Sequence, residues 1–249
     1  MRTSIIIAAF LLIPAFMYST VHKKDKGKEK TKHIETNING KGYSITVHFK
    51  AGEDKNRPSM ALWVEDLHGN FIQPLFVTES FATGTYRYVK QAGDHWEPGS
   101  KLYKATLPYF IHKWTNSGNS EDFKVPSPQH PVPDAYTSAT PLNDFVLHTK
   151  TDNKGKDELR LVMEINQAWD VNDYWHNAKF PENNEYKASC QPSIIYAVTI
   201  DTENPMEYYA MNPIGHGHYA GENGKLYTDL STLTTAKNIA KRIEVRIKP

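Results

Sequence analysis

The chain has almost no cysteine. Cys190 stands alone among 249 residues, so an internal disulfide is excluded, as is any CxxC or Cys/His metal motif. Charge of one sign is missing too. The formal net charge of +1 offers no field for nucleic acid, and the lysines are dispersed except at one place. There is no GxSxG, HExxH, GxGxxG or glycine-rich phosphate loop, which removes the common hydrolase, zincin and nucleotide-binding signatures. Internal repeats are absent. The one long apolar run, Ser4 to Tyr18, has 15 residues, and a membrane span needs about 20.

That run follows Arg2 and has the length of a secretory h-region. Six lysines lie between Lys23 and Lys32 against Asp25 and Glu29, a charged and solvated tether. The expected organisation is a signal peptide or N-terminal anchor over 1–20, a lysine-rich tether over 21–32, and one β-sandwich domain over 33–249. No A-x-A site marks cleavage, so an uncleaved anchor stays open; with no cysteine after the run, a lipoprotein does not. Export to the periplasm or cell envelope is expected, with membrane contact only through an uncleaved N-terminus.

Period-2 alternation dominates the remainder. Tyr43, Ile45, Val47 and Phe49 alternate with polar residues, and 60–64 and 71–77 flank the turn Leu67-His68-Gly69-Asn70 as a hairpin. Pro74 places the second arm at an edge or a bulge. Further strands are expected at 85–90, 145–149, 159–165, 193–200, 207–211 and 243–247. A short helix is expected over Leu107 to Trp114, with Phe110, Ile111 and Trp114 on one face, and one helical turn within 234–240. The proline tract from Val125 to Pro133 reads as a stiff extended crossover between sheets. Together these features predict a mainly β fold, an antiparallel immunoglobulin-like β-sandwich with one or two short helices.

Three stretches could carry chemistry, and each reads two ways. His216 and His218 form an H-x-H pair; on a strand both rings would point to one side and could share a cation, or one histidine could order a glycine-rich turn. Trp169 to His176 is dense in aromatic and polar groups, suiting either a flat ligand or a loop that fills the end of the sandwich. Asp134-Ala-Tyr-Thr-Ser-Ala-Thr140, after the proline tract, is either a structural turn built on Asp134, Thr137 and Ser138, or a stiff platform presenting a hydroxyl. No nucleophile, base and oxyanion site assembles, which favours a non-catalytic module.

Several blocks together carry a resemblance: 62–77, 134–141, 161–175, 191–201 and, above all, Ile214 to Ala236 with its GHGH and DLSTLTTA. In order and content they resemble domain of unknown function 2271, over most of the chain beyond the tether. The resemblance implies an exported protein with an immunoglobulin-like sandwich. It also implies an envelope setting of flavin-based electron transfer or iron acquisition, with a PepSY-type membrane protein as partner. Extracytoplasmic flavin carriers of that setting bear covalent FMN on a D-x-x-[ST]-G-A-T loop. On this chain Asp134 matches the acidic position, Thr137 the first hydroxyl, Ala139 the alanine and Thr140 the acceptor, while Ser138 replaces the glycine. The resemblance therefore implies a redox carrier with FMN on Thr140 as the alternative to a binding module, beside a metal-binding protein using His216 and His218.

Overall fold

Strands that bury one face read as alternation, whereas strands buried on both faces read as continuous apolar runs. Both kinds occur here. The computed structural model describes residues 31–117, 124–155 and 158–248; the expected signal segment and nearly all of the tether lie outside them. The strands are β1 Lys32–Glu35, β2 Ser44–Ala51, β3 Ser59–Glu65, β4 Phe71–Thr78, β5 Thr85–Ala92, β6 His95–Ser100, β7 Thr137–Ser138, β8 Phe145–Lys150, β9 Glu158–Asn166, β10 Ile194–Asp201, β11 Tyr209–Ala210, β12 Asn212–His216 and β13 Ala240–Lys248. The helices are α1 Glu79–Thr83, α2 Pro108–Ser117 and α3 Asn184–Ser189.

Two sheets face each other. One has the order β1-β8-β2-β13-β11 and the other β12-β10-β9-β3-β4-β7, while β5 and β6 pair on their own. Ile45, Val47, Phe49, Phe145 and Leu147 from the first pack against Met60, Leu62, Leu161, Met163 and Ile194 from the second. The fold is thus mainly β and a sandwich, as the alternation indicates. It is not wholly antiparallel, because β1 runs parallel to β8 and β7 parallel to β4. Neither short strand is joined to its parallel neighbour by a tight hairpin, so no such turn dictates its direction.

The six-stranded sheet has a second apolar face. Trp63, Val77, Val162 and Ile195 lie beneath Phe81 and Ala82 of α1 and Phe110 and Ile111 of α2. This outer layer explains why β3 and β9 are buried almost throughout, while β2 alternates. Helix α2 matches the expected helix with its apolar face down; α1 and α3 were not anticipated. Pro74 sits opposite Trp63 at a register shift, so its strand accommodates it as a bulge.

The proline tract departs from expectation. Ser127 and His130 exchange backbone hydrogen bonds of 3.2 and 3.0 Å across a tight turn, and Val132 donates its amide to Ala82 at 2.9 Å. Val125 and Val132 join the outer layer. The tract is therefore folded back onto α1 rather than extended between sheets. The chain crosses to the other sheet later, between β7 and β8.

Candidate functional site

Register places one set of loops at one end of the six-stranded sheet. Ser138 lies opposite Thr78, Ser59 opposite Asn166, and Ile194 opposite both Ile165 and His216. Beyond these strand ends come residues 52–58, 139–144, 167–193 and 217–239. Thr140 and His218 both belong to this rim, yet at opposite edges of the sheet. Five strand spacings separate β7 from β12, roughly 24 Å at about 4.8 Å each. The two expected sites are not one site.

At the β7 edge, Asp134–Tyr136 forms a single 3-10 turn and Thr137 donates its hydroxyl to the Asp134 carbonyl at 3.2 Å. The turn is closed by backbone amides, that of Tyr136 donating to the Pro133 carbonyl at 3.0 Å and that of Thr137 to the Asp134 carbonyl, with no side-chain cap at its N-terminus. Ser138 is an extended strand residue, outside the left-handed region, so a serine where the flavin-loop pattern has glycine causes no backbone strain. Thr140 is half-buried, and its hydroxyl makes no hydrogen bond among the described residues. The Lys55 ammonium donates to the carbonyl of the adjacent Pro141. Burial pulls the Lys55 pKa down to about 8, against the raising effect of Asp144.

At the β12 edge, the strand stops at His216. The His216 ring stacks on Tyr227, at 5.3 Å and 15°, and its Nδ1 meets the Gly217 carbonyl at 2.7 Å. His218 lies beyond the strand, where its Nδ1 accepts from the Ala220 and Glu222 amides at 3.2 and 3.3 Å. That nitrogen is occupied in ordering the turn. Among the described residues, no group of three or more His, Cys, Asp or Glu side chains is placed to hold a metal ion. The glycines serve packing: a Cβ on Gly217 would stand 2.6 Å from both Pro108 Cγ and Ser193 Oγ.

The aromatic stretch between these edges does two things at once. Trp175 is buried, donates from its indole to Thr232 at 3.0 Å, and sits among Tyr174, Tyr186 and Tyr219. Trp169, Val171 and Tyr174 instead point outward, Trp169 being 64% exposed. Lys179 Nζ lies 3.1 Å from the centre of the Tyr174 ring. Trp169 also has φ of 59°, a conformation costly for a bulky side chain. The next residue, Asp170, is 6% exposed and accepts from Thr235 at 2.6 Å.

Two buried carboxylates escaped the sequence reading. Glu164 accepts from the Tyr109 and Phe110 amides at 3.1 and 2.7 Å and from the Ser193 hydroxyl at 2.5 Å. Burial pushes its pKa up to about 7, against these three bonds. Glu65 accepts from the Trp63 indole at 2.9 Å, with Lys113 at 3.4 Å and Arg160 at 3.9 Å. Both lie under α2, where they anchor the outer layer. The signal was their setting: a glutamate within a strand apolar on both faces has no solvent to face.

No family model, curated protein or solved structure matches the chain.

Proposed function

We propose that the protein is an exported, non-catalytic binding module that presents the loop 169–174 to a partner at the cell envelope. The observation that carries this reading is Trp169, a bulky aromatic held outward in a left-handed backbone conformation. Exposed tryptophan and tyrosine at the end of a rigid sandwich are what an interface anchor requires. The sequence resemblance to domain of unknown function 2271 supports export, an immunoglobulin-like strand order and a PepSY-type membrane protein as the partner. Photo-crosslinking in intact cells tests it. A crosslinker at Tyr174 should capture a membrane protein of that type, and one at Asn153, at the other end of the sandwich, should not. Equal yields from both positions would refute the reading.

A second reading has its own observation. The half-buried Thr140 hydroxyl, without a hydrogen-bond partner among the described residues and two positions after the extended Ser138, favours a redox carrier with FMN attached through its phosphate to Thr140. The protein would then orient the flavin, which supplies the redox chemistry. Protein exported from a host with a flavin transferase should gain the mass of the FMN moiety, and Thr140→Ala should abolish the gain. An unmodified wild-type chain beside a modified control flavoprotein would refute it. The pair His216 and His218 has no third ligand beside it among the described residues, and its geometry supports turn ordering.

A further inference from the structure

Two imidazoles meet at the edge of the five-stranded sheet. β1 is the edge strand there, and β8 is its hydrogen-bonded neighbour. His33 of β1 and His148 of β8 stack with 5.5 Å between ring centres and 9° between planes, and His33 Nδ1 lies 3.2 Å from His148 Nε2. His148 Nδ1 in turn faces the Thr46 hydroxyl of β2 at 3.4 Å. Of the four side chains of β1 only that of Ile34 is buried, so this contact is a large part of what the strand has beyond its backbone ladder.

A hydrogen bond between two imidazole nitrogens needs a hydrogen on one and a lone pair on the other. Two neutral rings meet that need, and so does a pair with one extra proton. A second proton leaves N–H facing N–H and sets two positive charges ring to ring. Register puts Glu35, His148, Thr46 and Arg246 in one outward row, and His33, Val146, His48 and Glu244 in the next. Most carboxylates around these rows already have basic partners: Glu244 meets Arg242 at 3.3 Å, Glu207 meets Arg246 at 3.7 Å, and Asp144 is paired with Lys50. Glu35, opposite His148, offsets one imidazolium but not two, and Lys150 stands two residues further along β8. Burial, then Arg246, hold the pKa of the third ring, His48, below the ordinary histidine value, against Glu244.

We propose that the His33–His148 contact is an acid-sensitive latch, which holds β1 to the sheet while the pair carries at most one extra proton and releases Lys32–Glu35 when both rings are charged. Imidazole is the side chain whose charge changes between pH 5 and 8. Because the rings touch, their protons arrive in two separate steps, of which the first is tolerated and the second opens the strand. Release stops at Thr36, whose hydroxyl donates to the Leu75 carbonyl at 2.7 Å, and at Asn37, whose amide donates to the Ala135 carbonyl at 2.7 Å. The point where the chain leaves the domain then moves from Lys32 to Thr36, and four extended residues add about 13 Å of reach. On the reading of an exported module still joined to its N-terminal segment, the latch sets how far the Trp169 loop can stand from the membrane.

The test uses the full chain and needs no partner. Hydrogen exchange of a peptide covering 31–37, corrected for the intrinsic effect of pH and compared with a peptide from β2, reads the latch. Protection of β1 relative to β2 should change little between pH 7.5 and 6.5 and fall about tenfold by pH 5.0. His33→Gln and His148→Gln each keep a donor and an acceptor without a titrating charge, so each should hold β1 at pH 5.0 as at pH 7.5. His48→Gln should leave the loss in place. Wild-type β1 as protected at pH 5.0 as at pH 7.5, or a loss that survives in both the His33 and His148 variants, overturns the proposal. Neither result bears on the Trp169 loop, which the crosslinking decides separately.

Discussion

The Glu164 carboxylate meets the Phe110 amide at 2.7 Å, joining the middle of β9 to the first turn of α2. The free amides and positive dipole end of a helix favour an anion at that place. Pro108 occupies the first position of the helix, where a missing N–H costs nothing. One side chain thus docks the outer layer on the sheet.

A pH dependence follows from this contact. The folded pKa of Glu164, about 7, lies above the ordinary value of 4.5. Between these values the folded chain retains a proton that the unfolded chain releases. The contribution of this group to stability is greatest below pH 4.5, falls as pH rises towards 7, and is level above. Glu164→Gln should remove that slope, a difference on the order of 3 kcal/mol across the window. Urea unfolding of both proteins at pH 4.5, 6 and 8 measures it.

Gly217 should resist substitution. An added Cβ would press on Pro108 and Ser193 and stand 3.1 Å from Glu164 Oε1. Gly217→Ala should cost about 2–3 kcal/mol through overpacking. Gly155→Ala, with nothing within 4 Å of its added Cβ, should change stability by under about 0.5 kcal/mol. Thermal melts of the two variants provide the comparison.

Trp169 sets stability against exposure. Trp169→Gly should stabilise the domain by about 1 kcal/mol, because glycine accepts a φ of 59° without the steric cost. The same change should remove the crosslink expected from this loop. Equilibrium unfolding together with the crosslinking assay reads both effects.

Cys190 should be silent in the folded state. The thiol is buried, its hydrogen is directed at the Lys187 carbonyl at 3.4 Å, and burial raises its pKa further from thiolate. Maleimide labelling should therefore proceed only as fast as the domain opens, and 4 M urea should accelerate it by orders of magnitude. Rapid labelling in native buffer would contradict the buried placement.

Much of the sandwich was legible because β2, with Ile45, Val47 and Phe49 inward, meets solvent on its other side. The central strands β3 and β9 were recognised as strands, but their second buried face was not. Neither Trp63 nor Val162 reveals by itself which layer covers it, since that depends on α2 folding back from a distant part of the chain. The candidate site was legible in pieces. The GHGH segment, the Trp169 loop and Thr140 each stood out locally, whereas their shared rim follows from strand register.

The distance along the rim limits what can occupy it. From Thr140 to His218 the loop-bearing end extends across the full width of a six-stranded sheet. A metabolite or a single flavin spans only part of that width and would engage one edge or the centre. A protein covering a standard footprint of about 800 Å², some 28 Å across, would reach both edges and the Trp169 loop together. Such a partner would read three separate stretches of the chain in one encounter, and a substitution at either edge would weaken its grip without touching the aromatic anchor.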